Sequence, residues 1–179
     1  MFNLFKKKES TVNIIDKIWM TEAVKLQTLV DEWKKDNNIV YIFWFDDTFR
    51  KAESVFAKET TETSPLLTTS EATTSTLKDK NIIFAEHYPL QQKEKELYQK
   101  LGLTTVQVWS ALNEPLFLHF GGEKILQLMK QSGMAETEAV EHKMLSKSIQ
   151  NAQQKIETKV LSEQTAHSQK DWLEKNLHH

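Results

Sequence analysis

The run Ile39–Phe45, IVYIFWF, is apolar at every position. A strand with one face in water alternates polar and apolar residues with a period of two, so a run without a polar position describes a strand covered on both faces. Helices on the two sides of a parallel sheet are the usual cover. The surrounding chain supplies them. Thr21 is suited to cap a helix in which Ala23, Leu26, Val30 and Trp33 recur at helical spacing, and Lys17–Met20 before it reads as a short strand. Asp46-Asp47-Thr48 ends the apolar run and can open a helix carrying Phe49, Ala52, Val55 and Phe56.

NIIFA, residues 81–85, repeats the buried-strand pattern; Pro89 opens a helix that stops near Gly102, and residues 104–112 form a further strand. Asn113-Glu114-Pro115 starts LFLHF, Gly121-Gly122 interrupts, and a helix follows to Gly133. Strands alternating with helices imply an α/β fold with a mostly parallel sheet, covered by helices and followed by a long C-terminal helix. The expected division is a flexible N-terminus (1–11), an α/β domain (12–134), one helix over 135–175 and a tail (176–179). Residues 60–76 are mostly Ser and Thr without a period, and are expected to form a flexible loop.

Composition narrows the function. The net charge is −2 and no basic stripe with interleaved aromatics occurs, which argues against nucleic acid as a partner. Cysteine is absent, which removes thiolate chemistry and disulfides and fits a cytoplasmic address. Phe2, Leu4 and Phe5 beside Lys6, Lys7 and Lys8 form too short a run for a signal peptide, and through residues 2–8 allow at most weak contact with an anionic membrane surface.

Two pairs stand at predicted strand ends, where open α/β sheets hold ligands: Asp46-Asp47 and Glu86-His87. Asp46 or Asp47 could form an acid-base pair with Glu86 or His87 if their strands are neighbours. For the aspartates, helix capping is the commoner role. His87, His119, His142 and His167 lack metal-ligand spacing, and Glu141-His142, adjacent in sequence, point to different sides of a helix.

Residues 141–157, EHKMLSKSIQNAQQKIE, closely resemble the start of the scaffold helix of SecA, the motor ATPase of bacterial protein export. NEPLFLHFGGEKILQLMKQSGM (113–134) is similar to the run that precedes that helix in the family, and DKIWMTEAVKL (16–26) to the opening of its second nucleotide-binding domain. The resemblance covers residues 12–60 and 81–157. It implies a RecA-like second domain running into a scaffold helix whose stripe of Met144, Leu145, Ile149, Ala152 and Ile156 packs on the domain. Lys147, Gln150, Gln154 and Lys155 are then left for a protein partner such as a translocase component.

The departures are as informative. Positions at which the family carries phosphate-reaching arginines hold Tyr98 and Lys100, the Gly-Arg-Gly loop is replaced by the Ser/Thr-rich stretch, and Arg50 is the single arginine in the chain. No Gly-rich phosphate loop is present. A non-enzymatic protein without a nucleotide or other cofactor is expected; the alternative is a ligand-binding or enzymatic α/β domain using Asp46, Asp47, Glu86 and His87.

Overall fold

The structure, a computed structural model, describes residues 12–177. The expectations for residues 1–11 and for the last two histidines therefore lie outside the described residues. Strand β1 (Asn13–Trp19) leads through helix α1 (Glu22–Lys35) to β2 (Ile39–Phe43), and α2 (Asp46–Glu59) leads to β3 (Leu66–Thr68). The chain continues through β4 (Asn81–Phe84), α3 (Gln91–Lys100) and β5 (Thr105–Ala111) into helices α4 (Pro115–His119), α5 (Gly122–Gln131), α6 (Lys143–Glu157) and α7 (Gln169–Leu177). The sheet has the order β1-β5-β4-β2-β3 and every pairing is parallel. The fold is α/β and consistent with the RecA-like class.

The apolar run of β2 is explained by its two faces. Ile39, Tyr41 and Phe43 pack under α1 and α2 with Leu29, Trp33 and Phe56. Val40 and Ile42 face the opposite layer with Phe84, Tyr98 and Leu101. Thr21 caps α1 as its sequence predicts, its hydroxyl accepting from the Val24 N–H at 3.3 Å. Gly102 closes α3 at φ +71°, a conformation that glycine enters without steric cost.

Residues 60–76 are not the unstructured loop that their composition predicts. Leu66–Thr68 extends the sheet beside β2, with Tyr41 opposite Leu66 and Phe43 opposite Thr68. Leu66, Ala72 and Leu77 are buried. The hydroxyl-rich composition supplies turn hydrogen bonds: Thr73 N–H donates to Thr76 Oγ1 at 2.9 Å, and Thr76 N–H to Thr73 Oγ1 at 3.1 Å. A few spaced apolar residues beside an open strand edge are enough to order the stretch.

The single helix expected over 135–175 is divided. Residues 135–142 precede α6 without helix, and Val140 exchanges backbone hydrogen bonds with Ile18 on the outer edge of β1, at 2.9 and 3.0 Å. His142 caps α6, its Nδ1 accepting from the Met144 N–H at 3.2 Å. After Glu157 the chain turns back, and Trp172 and Leu173 of α7 pack with Phe45, Leu90, Leu116 and Ile156. A straight helix would leave that indole in water; burial of an aromatic side chain contributes enough to favour the reversal. On α6 itself Ile149 and Ile156 are buried as the stripe predicts, but Met144 is 72% exposed because it lies round the helix from them.

α5 begins unusually close to β5. A Cβ on Gly122 would stand 2.4 Å from the Leu112 carbonyl oxygen, so only glycine permits this approach.

Candidate functional site

β2 and β4 are neighbours, but α2 carries the chain from β2 outward to β3 over one face, and α3 carries it from β4 to β5 over the other. The carboxyl ends of these two strands therefore flank the crevice in which open α/β sheets hold ligands. Glu86 stands in it, buried. Its carboxylate accepts from the Trp44 and Phe45 N–H groups, both at 3.0 Å, and from the Thr48 hydroxyl at 2.8 Å. Burial raises its pKa to about 7; the Lys25 ammonium pulls the other way, while the Glu114 carboxylate adds to the rise.

Lys25 of α1 is itself fully buried. Its Nζ donates to the Ala85 carbonyl at 2.6 Å and forms an ion pair with Glu114 at the end of β5. The other carboxylate oxygen of Glu114 is buried without a hydrogen-bond partner. Burial raises this carboxyl too, against the opposing charge of Lys25.

His87 is the centre of a second buried cluster. Its Nε2 lies 2.7 Å from Asp16 Oδ1 on β1 and its Nδ1 2.9 Å from Glu94 Oε1 on α3. Two carboxylates, one at each ring nitrogen, are both satisfied when the imidazole carries two protons. Burial opposes that charge, but Glu94 and Asp16 outweigh it and the pKa rises well above the ordinary histidine value. The pKa of Asp16 is lowered: burial alone would raise it, and the His87 charge and hydrogen bond prevail.

α7 covers the crevice. Gln169 Nε2 donates to the His87 carbonyl at 3.1 Å and reaches Glu86 Oε2 at 3.5 Å, while its Oε1 accepts from the Leu116 N–H at 3.2 Å. Tyr88 stacks on Phe45 and meets Trp172 edge-on, and Gln153 of α6 donates to the Tyr88 carbonyl at 2.7 Å. A cavity of about 270 Å³ remains beside α7, lined by Asp47, Lys51, Glu86, Glu114 and Gln169 among others.

The residues predicted from sequence separate. Glu86 and His87 are buried at the strand end as expected, but they serve different clusters. Asp46 and Asp47 lie in the first turn of α2, exposed, and pair with His167 at 3.4 Å and Lys51 at 2.9 Å. No hydrogen bond joins either aspartate to Glu86 or His87, since the carboxylate of Glu86 is turned toward the backbone before α2. Nor do the aspartates cap that helix: Phe45 is the capping residue, without a side-chain bond, and the Asp47 N–H goes to the His167 carbonyl at 3.0 Å.

On α6, Lys147, Gln154 and Lys155 are exposed and Gln150 is half-buried; Gln154 reaches Gln91 at 3.3 Å. Tyr98, at an expected arginine position, is buried against Phe84, whereas Lys100 is exposed. Asp16, Lys25, Glu94, Glu114 and Gln169 are absent from the sequence-based set. Lys25 and Glu94 carried a signal, since each is a charged residue spaced among the buried positions of its helix. Among the described residues no cluster of His, Asp and Glu has metal-binding geometry, and no helix is long and apolar enough to cross a membrane.

No family model matches the chain. Among curated proteins it is 34% identical over 83 residues to the protein translocase subunit SecA of Acidithiobacillus ferrooxidans, an alignment covering 44% of this chain and 9% of that protein. It is 45% identical over 49 residues to SecA of Psychrobacter cryohalolentis (27% and 5%), and 33% identical over 81 residues to SecA of Alkaliphilus oremlandii (43% and 9%). The chain spans less than a tenth of the length of these relatives. Part of it is thus related to SecA, as the residues of 113–157 indicate.

Proposed function

We propose, from this partial kinship with SecA, that the chain is a non-enzymatic interaction module of cytoplasmic protein export that docks to a protein partner and does not hydrolyse ATP. The observation that carries the reading is the state of the strand-end crevice. Glu86, buried with its pKa raised to about 7, stands where an anionic phosphate would have to approach, and Gln169 of α7 reaches over it. A phosphate site needs converging N–H groups and cations. Here the Trp44 and Phe45 N–H groups are already taken by Glu86, and Lys25 by Glu114.

Two measurements test it. The unfolding midpoint should not move with millimolar Mg-ATP; a reproducible rise of several degrees, lost on changing Lys100, would overturn the non-enzymatic half. Site-specific crosslinking from Lys155 in the native cell should reach a translocase component, and crosslinks only to unrelated proteins would remove the export half.

A second reading has one feature in its favour. The unpartnered Glu114 oxygen and the cavity beside Asp47 and Glu86 give a small polar ligand a place to bind.

A further inference from the structure

A groove of about 360 Å³ runs between α4–α5 and α6, floored by Leu116, Phe117 and Ile149 and edged by Ile125, Leu145 and Ala152. Apolar side chains continue outward from it: Phe120, Ile125, Leu128 and Met144 are exposed, Leu128 by 64%. Isolated exposed apolar residues are ordinary, but a contiguous set around a groove marks a contact surface. The α6 wall presents Leu145, Ser148, Ile149 and Ala152, spaced i, i+3, i+4, i+7, about two helical turns.

Both walls are helices whose backbone groups are already paired. They offer no strand edge, so a guest segment must satisfy its own backbone, which a helix does. The rim fixes the guest's charge. Lys124 lies four residues before Leu128 on the same face of α5; on α6 Lys147 follows Met144 by three residues, and Lys155 lines the groove itself. Among the described residues none of these lysines has an ion-pair partner. A second copy on a two-fold axis would set lysine against lysine, and residues 2–8 of this chain carry three lysines of their own.

We propose that this groove is a docking site for an amphipathic helix of a partner protein that carries acidic residues on both sides of its apolar stripe. The inference rests on the interaction-module reading and gives that module its recognition chemistry. Leu128 and Ile125 meet the guest's apolar stripe, and Lys124, Lys147 and Lys155 meet its acids.

The test is selection from a displayed library of helical peptides in which the apolar stripe is constant and the flanking positions vary among Glu, Lys and Gln. The full chain is the bait, and a folded Ile125→Asp variant is used for counter-selection. The expected outcome is enrichment of Glu at the flanks, with a synthetic peptide of the selected sequence binding about tenfold more tightly than its Lys-for-Glu counterpart at low salt. Charge reversal at Lys124 and Lys155 should invert the preference. Recovery of no peptide, recovery of basic flanks, or indifference to Ile125→Asp would overturn the proposal. So would sedimentation showing a wild-type dimer that Ile125→Asp dissolves, because a second copy would then be the occupant. Selected acidic helices alongside crosslinks only to unrelated proteins would leave the groove assigned and the export reading lost. Crosslinks to translocase components with an empty selection would do the reverse.

Discussion

The strand-end crevice and the α5–α6 groove invert each other. In the crevice, charged and polar groups are buried: Lys25, Glu86, His87, Glu94 and Glu114 have almost no exposure, and Gln169 of α7 reaches over Glu86 and His87. In the groove, apolar groups face water, and lysines stand at the rim without an ion-pair partner among the described residues. Burying charges is costly unless each finds a counter-charge or hydrogen bonds. The crevice meets that requirement with residues of this chain, apart from one oxygen each of Glu94 and Glu114. The groove does not meet its corresponding requirement for apolar surface. One region buries its charges within the molecule, and the other leaves its apolar side chains in water.

The largest expected effect breaks the crevice. Lys25→Met leaves Glu114 buried without its counter-charge and should lower unfolding free energy by roughly 3–5 kcal/mol, with Lys25→Met/Glu114→Leu recovering most of the loss in urea titrations. A silent Lys25→Met would mean that the crevice is open to solvent and the contrast with the groove is false.

A pH series sharpens the same side. A carboxyl raised in the folded state to about 7 from 4.5 contributes stability present below the unfolded value and lost as pH rises through the folded one. For Glu86 this amounts to about 3 kcal/mol at most, so stability should fall from pH 5 to 8, and Glu86→Gln should flatten that slope. His87, also raised, loses its contribution in the same direction, as pH passes its elevated folded value; Asp16, lowered, loses its own only as pH falls through its folded value. A slope unchanged in Glu86→Gln would relocate the titrating group.

Leu66→Ala should cost roughly 2 kcal/mol, because its side chain is buried beside β2. No change in the unfolding midpoint would return residues 60–76 to the status of a loose connection. The smallest effect belongs to the groove. Leu128→Ser should leave stability within about 0.5 kcal/mol while weakening any helix selected on the groove, and a clear loss of stability would show that Leu128 has a partner within the molecule.

Much of the fold was legible in the sequence because its signals are local. IVYIFWF announces a strand buried on both faces, and residues 22–35 announce their helix by period and by the Thr21 cap. Residues 60–76 misled because their order comes from a distant strand edge, β2, and from hydroxyl bonds that composition does not display. The division of the last helix was hidden for a similar reason: Trp172 is buried by Phe45 and Leu116, far away in sequence. Glu86 and His87 could be placed at a strand end, but the charged groups around them, Lys25, Glu114, Asp16 and Glu94, come from four separate elements. No spacing rule connects these residues. The groove was half visible, since Lys147 and Lys155 stand out on the helix surface, but the opposing wall at Ile125 and Leu128 exists only once α5 folds beside α6.

The backbone pairing of Val140 with Ile18 bears on how the molecule behaves in a crowd. A parallel sheet ordinarily ends in strands whose unpaired N–H and C=O rows invite a foreign strand. Here the long border strand β1 is met at Ile18 by the segment leading into α6, and the opposite border, β3, is only three residues long. Residues 135–142 interrupt one border and the other is short, so the sheet offers a foreign strand less free edge than its strand order suggests, and detachment of residues 135–142 should raise the tendency to self-associate.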